Sequence, residues 1–460
     1  MIAIGGLFAI HVMGSVLRAA VTRRPLWLCF ASPTSGLLAL SVLFATSLGI
    51  AGLVLGVALL VSLRVLERKS PAPFQSLGNG PVWAGLFILG LLMLARPWVP
   101  TQWDEFVWLG KSRLESLGFG ASVRAALEPA LGLIPPGYQP LWPAAVGWVS
   151  LGKDELGAQC AAATLLIWLC LACAVEAWAP ILTVASSVPS VSKEASLDSK
   201  RTTFATLASV AALGLSAPYV WVHLRSVYVD LPIGFLLAAC LGFLLTERPA
   251  LAGVVAVVMS GFKDEGAALV VAAAVGAAFA VRAQKAPSRP SSLVALPVVL
   301  AGIVTITWRL LLLQGQVTAT DHAFARLAWE WSPTFFELLI KHATDLSTWG
   351  LFWPVLAGVL WARLKVAPTL GGIRATLVMG IAMMFAVTVL GPERIRAFAE
   401  SGTLLNRLLL QLWPTAFGAL WLSHRSEPFT DSQEGPLHGS VDGAGPDAPG
   451  VSNRERRHVS

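Results

Sequence analysis

Charge is the scarcest commodity in this chain. Asp, Glu, Lys and Arg together make up 13% of the 460 residues, against 55% hydrophobic; a water-soluble domain carries about 25% charged residues. Such a chain cannot cover itself in polar surface, and lipid must serve as its solvent. Strand-like alternation of the outer-membrane kind is missing as well. The apolar runs, several of them near the ~20 residues needed to cross hydrocarbon, are therefore read as helices. Cysteine is sparse: Cys29, Cys160, Cys170, Cys173 and Cys240 lie in or beside apolar segments. They read as packing residues rather than ligands, and no disulfide framework is visible. A basic stretch ahead of the first apolar run, Ile2 to Ala20, is lacking too, which excludes an ordinary signal peptide. Arg18 near its end and Arg23 and Arg24 just after it carry the positive charge instead, an order that favours an exported N-terminus.

The apolar runs predict spanning helices near 2–20, 26–45, 47–65, 82–98, 156–178, 204–222, 231–246, 249–260, 266–281, 293–313, 349–363, 375–391 and 403–422. The expected fold is an all-α, polytopic transmembrane bundle of about 11–13 spans. Leu26–Leu66 is too long for one helix and is split into a hairpin turning near Ser47; the short run 249–260 is read as a span, with a half-buried or re-entrant segment as the alternative. The net charge of +7 does not point to nucleic acid, because the basic residues sit between apolar runs. With the N-terminus outside, each inner segment holds some of them: Arg23/Arg24, Arg64/Arg68/Lys69, Lys193/Lys200/Arg201, Arg248, Arg282/Lys285/Arg289 and Arg363/Lys365/Arg374. That is the positive-inside pattern. It divides the chain into N-terminal helices 1–66, a core 82–422 with long outer loops 99–155 and 314–348, and a Gly-, Pro- and Ser-rich tail 426–460 expected to be disordered in the cytoplasm.

The same topology gathers acid and base groups on the outer face. Trp103-Asp104-Glu105 lies just past a helix; its two carboxylates suit a general base with a hydrogen-bonding or metal-holding partner, or else form a solvated acidic turn. His223, Arg225, Tyr228 and Asp230 make a polar patch between apolar runs, where Asp230 either caps the next helix or serves a site. Lys263-Asp264-Glu265 places an ammonium and two carboxylates at the boundary, suited to a lipid phosphate or to a polar turn. Arg407 sits one turn into the last apolar run, either snorkelling to headgroups or facing inward to bind phosphate. His322, in the second long loop, is a weaker candidate. A purely structural bundle has no reason to collect such groups on one side.

Trp103-Asp104-Glu105, Pro135-Pro136-Gly137-Tyr138-Gln139-Pro140-Leu141, Tyr228-Val229-Asp230-Leu231-Pro232, Lys263-Asp264-Glu265-Gly266 and Asn406-Arg407 with Pro414 together resemble the GT-C superfamily of integral-membrane glycosyltransferases. The resemblance is to bacterial relatives of dolichyl-phosphate-mannose protein mannosyltransferases and of lipid A aminoarabinose transferases. It covers about residues 82–422. It implies a GT-C-like bundle with a large first outer loop, a polyprenyl-phosphate-linked sugar donor, and a lipid, glycan or protein acceptor at the extracytoplasmic face of a bacterial inner membrane. Asp104 then matches the family's loop acid, as base on the acceptor hydroxyl or helper of a metal, with Glu105 beside it. Lys263 and Arg407 fall near the lipid phosphate, with His223, Arg225, Tyr228, Asp230 and Glu265 in the same substrate-binding set. No cofactor is implied beyond a divalent cation at Asp104 and Glu105. The extra acid in Lys263-Asp264-Glu265 and the helices before residue 82 depart from the family pattern. The competing classes are a multi-pass transporter or lipid flippase, which would need repeats and mid-membrane charges that are not seen, and an O-antigen ligase or polymerase type of transferase, which does not predict the early acid pair.

Overall fold

A computed structural model describes residues 2–67, 109, 112, 139–153, 155–184, 216–224, 226–283, 292–314, 334–362, 368–390 and 393–425. In chain order the helices are α1 (Ile2–Thr22), α2 (Leu26–Phe30), α3 (Thr34–Ser47), α4 (Gly49–Leu66), α5 (Leu141–Val149), α6 (Leu156–Val184), α7 (Pro218–Leu224), α8 (Asp230–Leu245) and α9 (Pro249–Phe262). They continue with α10 (Asp264–Ala283), α11 (Ser292–Gln314), α12 (Phe335–Ala343), α13 (Leu346–Trp349), α14 (Phe352–Ala362), α15 (Pro368–Leu390), α16 (Glu393–Glu400) and α17 (Thr403–Arg425). No strand occurs among the described residues. Six of these helices, within α1, α4, α6, α10, α11 and α15, are long and apolar enough to cross a bilayer. The protein is an all-α, multi-pass membrane bundle.

Two helices that are apolar all round form its centre, as expected of elements with no face to show to solvent or lipid. Every residue of α9 is buried, and so are Asp230 to Leu244 of α8. At 16 and 14 residues they rise about 24 and 21 Å, short of the hydrocarbon thickness. The longer helices α6, α10, α11 and α17 pack around them. The segment 249–260 is thus neither half-buried nor re-entrant: α9 starts on a proline at its first turn, where the missing N–H costs nothing, and runs through the core.

The first hairpin has its turn at Leu48–Gly49, where Gly49 takes φ +67°. The expected span 26–45, however, is not one helix. It breaks between α2 and α3 at Ala31-Ser32-Pro33, because Pro33 has no N–H for the helix ladder and sits at the N-cap of α3. The expected span 349–363 is likewise interrupted, at Gly350 with φ +56°. Of 204–222, the described part holds only the short α7. The described part of the expected outer loop 314–348 carries α12 and the start of α13, and α16, an amphipathic helix, lies between α15 and α17. The spans near 82–98 and the tail 426–460 lie outside the described residues.

Two glycines allow the close approaches on which the site depends. A Cβ on Gly266 would stand 2.0 Å from the Met259 carbonyl oxygen, so glycine is what lets α9 reverse into α10 through the single residue Lys263. A Cβ on Gly234 would lie 2.9 Å from the Gln411 carbonyl oxygen and 3.0 Å from Pro414 Cδ, so the backbones of α8 and α17 meet one turn below Asp230. Gly234→Leu is expected to destabilise the bundle by about 1–3 kcal/mol through overpacking, read as a lowered unfolding midpoint in detergent; an unchanged midpoint would contradict this packing.

Candidate functional site

Asp230 begins α8 at the rim of the bundle and is fully buried. Its carboxylate does not cap the helix. Instead Oδ1 accepts from Lys263 Nζ at 2.9 Å and from Gln411 Nε2 at 2.8 Å, while Oδ2 accepts from Arg407 Nε at 2.7 Å. Lys263 comes from the extended residue between α9 and α10; Arg407 and Gln411 lie four apart on one face of α17. Two segments far apart in sequence, the Lys263 turn and α17, therefore converge on the carboxylate of a third. Its place in the first turn of α8 also sets the negative charge at the positive end of the helix dipole.

Lys263 Nζ reaches a second carboxylate, Glu265 Oε1, at 3.1 Å. Burial works against the ammonium, but Asp230 and Glu265 outweigh it and hold Lys263 above its ordinary range. Arg407 does not snorkel outward: besides Asp230, its Cζ stands 5.1 Å from the centre of the Tyr228 ring, within cation–π range. The accessible edge of the cluster is Arg407, 18% exposed, and Glu265, 26% exposed. Two cations and two carboxylates leave this group formally neutral.

An aromatic wall adjoins it. His223 lies 5.1 Å from Tyr228 and 4.4 Å from Tyr219, and Tyr219 lies 5.5 Å from Trp349 (ring centroids). Trp349 Nε1 donates to Asn406 Oδ1 at 3.0 Å, next to Arg407 in the chain. His223 is buried, and its Nδ1 has no hydrogen-bond partner among the described residues. Burial pushes its pKa down to about 4, Asp230 opposing and Arg407 reinforcing the shift, so the imidazole is neutral at pH 7.

On the other flank, Asp264 Oδ2 pairs with Arg309 Nη2 at 2.9 Å, and Asp264 Oδ1 accepts from Gln139 Nε2 at 3.0 Å. Gln139 Oε1 and Ser260 Oγ are buried without hydrogen-bond partners among the described residues. From α5, Trp142 donates to the Val227 carbonyl at 2.8 Å and packs edge-on against Phe262, which fixes the polar segment between α7 and α8 from behind.

The structure thus brings together six of the residues singled out from the sequence: His223, Tyr228, Asp230, Lys263, Glu265 and Arg407. Asp104, Glu105, Arg225 and His322 lie outside the described residues. Sequence reading missed Gln411, Arg309, Gln139 and Trp349 as members of the cluster. Gln411 was detectable, as an amide one turn beyond Arg407 in an otherwise apolar run; Arg309 was detectable as a lone charge inside an apolar helix. Among the described residues no three His, Cys, Asp or Glu side chains gather as metal ligands. The chain matches no known protein family, no curated protein and no solved structure.

Removing the central carboxylate takes its closest acidic partner from the buried Lys263 and from the partly buried Arg407. Asp230→Ala is expected to cost about 3–5 kcal/mol, and adding Lys263→Met to recover part of it, as measured by unfolding in detergent; full additivity of the two would deny their coupling. The histidine predicts a pH effect. Its unfolded pKa near 6.5 exceeds the folded value of about 4, so only the unfolded chain takes up the proton between those limits. Stability falls as pH drops through this window, by at most about 1.4 kcal/mol per unit, and His223→Phe should flatten that slope.

Proposed function

We propose that this chain is a membrane glycosyltransferase of the GT-C kind, with about 11–13 spans and a large first outer loop. It moves a sugar from a polyprenyl-phosphate donor to a lipid, glycan or protein acceptor at the extracytoplasmic face of a bacterial inner membrane. The observation that carries this reading is the meeting of Lys263 and Arg407 on Asp230 at one rim of the helix bundle. Both cations come from segments that the sequence pattern assigns to the outer side, and the Arg407 edge of the cluster is accessible.

The chemistry needs such a rim. The acceptor hydroxyl oxygen bonds to the anomeric carbon while the bond from that carbon to the phosphate oxygen breaks, inverting the centre. The electron pair leaves on the phosphate, and the hydroxyl proton passes to a base. A preorganised cation at the leaving oxygen stabilises the charge that develops there. Asp230 holds Arg407 and Lys263 in place, and together with Glu265 it offsets their two charges while no phosphate is present. Asp104 is the proposed base and Glu105 its partner, the pair that can also hold a divalent cation. His223 Nδ1, Gln139 Oε1 and Ser260 Oγ, all buried and lacking hydrogen bonds among the described residues, supply polar atoms that substrate hydroxyls can satisfy. Because the leaving group stays in lipid, a site at the rim rather than in a soluble domain is what this reaction requires.

The test is transfer from a polyprenyl-phosphate-linked sugar by the purified full chain, with lipid mass spectrometry of cells with and without it. A sugar-phosphate lipid should accumulate in its absence. Asp104→Asn should lower transfer by about 10²-fold or more and leave the unfolding midpoint unchanged. Unaltered lipid-linked sugar pools, or full activity in Asp104→Asn, would sink the assignment.

A further inference from the structure

A second buried polar network lies at the far end of α8. It joins Arg18 of α1, Arg24, the Ser32–Ser35 break, Glu67 after α4, Glu176 of α6 and Arg248 between α8 and α9. Arg18 Nε donates to both oxygens of the Glu67 carboxylate, at 3.1 and 3.2 Å, and its other nitrogens reach Glu67, Ser32 and Ser35. Glu176 accepts from Ser32 Oγ at 2.7 Å and from Thr34 N and Oγ1 at 3.2 and 2.6 Å. Arg24 Nη1 stands 3.7 Å from Glu67 Oε1.

Arg248 is the member left over. The Arg248 side chain is only 4% exposed, yet it meets Glu176 at 3.5 Å as an ion pair without a hydrogen bond. None of its three guanidinium nitrogens has a hydrogen-bond partner among the described residues. Its Cζ lies 5.0 Å from the Phe243 ring, which covers one face and donates nothing. A guanidinium carries five N–H donors in a planar fork, and burying them unmatched is costly. Glu176 already accepts three hydrogen bonds from Ser32 and Thr34. Arg248 is also the N-cap of α9, so the positive end of that buried helix adds to the local field.

We propose that Arg248 anchors an oxyanion site of phosphate chemistry at the rim opposite Asp230, filled by the phosphate of an anionic lipid headgroup or by free inorganic phosphate. A planar fork beside a helix N-terminus matches a tetrahedral oxyanion in both charge and donor geometry. The exposed Glu247 and partly exposed Thr246 place Arg248 at the edge of the bundle, where headgroups lie. The bound anion matches the Arg248 donors and ties the α1–α4 helices to α6 and α9. This site is independent of the transferase reading.

The test uses the full chain, stripped of lipid in a neutral detergent, and follows its unfolding midpoint. Phosphatidylglycerol in mixed micelles is expected to raise the midpoint by about 3–5 °C, and a neutral galactolipid to leave it in place. Arg248→Gln should abolish that rise. Arg282→Gln, which removes an exposed arginine at the same rim, should keep it. Should Arg248→Gln fail to fold, Arg248→Lys serves: losing the planar fork, it should retain under half of the rise. An equal rise with inorganic phosphate, again dependent on Arg248, assigns the site to the free ion. The proposal is overturned if neither probe moves the wild-type midpoint, or if the rise is the same with Arg248 replaced.

Discussion

The buried carboxylate of Asp230 is the constraint around which the described bundle is organised. An ionised group without solvent must be matched by opposite charge and by hydrogen bonds. Here that demand is met by Lys263 from the α9–α10 turn and by Arg407 and Gln411 from α17. The turn must be a single residue wide for Lys263 to point inward, which explains the glycine at 266. The backbones of α8 and α17 must touch, which explains the glycine at 234. Tyr228 then sits beneath the Arg407 guanidinium because it lies only two residues before the carboxylate that holds it. A network of this kind contributes little net stability compared with apolar packing. Its effect is to fix which helix ends meet, and that positions a reaction or binding surface.

The polarity of the bundle is concentrated at its two ends. Asp230, Lys263, Asp264, Arg309 and Arg407 occupy one rim; Arg18, Arg24, Glu67, Glu176 and Arg248 occupy the other. The helix α8 connects them, with Asp230 as its first residue and Arg248 just beyond its last. Between the rims the two central helices are apolar, as a low-dielectric interior requires. The contrast between the rims is chemical. Among the described residues of the Asp230 rim, Lys263, Arg309 and Arg407 are matched by Asp230, Asp264 and Glu265, and the aromatic side chains lie alongside. At the Arg248 rim one guanidinium has no hydrogen-bond partner for its donors among the described residues, and this separates the two proposed ligand sites.

Sequence pattern and structure part company where local signals compete with packing. The expected span 26–45 is apolar enough for one helix, but Pro33 breaks the ladder, and the freed groups around Ser32 and Thr34 find Glu176, a residue more than a hundred positions later. Arg407 could be read as snorkelling or as inward-facing, because spacing from the helix end is the same in both cases; the buried Asp230 decides for the inward direction. Asp230 could be read as a cap, yet it became the shared partner of two cations. Gln139 was visible only as part of a loop motif, and its contact with Asp264 depends on α5 folding back over the α9–α10 turn.

The sequence alone determined the solvent and the helical class. Those follow from composition and from local runs, which act over one or two helical turns and need no partner. Tertiary structure decided that α8 and α9 lie innermost, that six singled-out side chains share one site, and that Gln411 and Arg309 belong with them. It also decided that Glu176 and Arg248 meet at the opposite rim with α1 and α4. Such facts depend on which apolar faces touch. The faces of α8 and α9 are apolar all round, so their sequences carry no mark of which neighbour each side will meet.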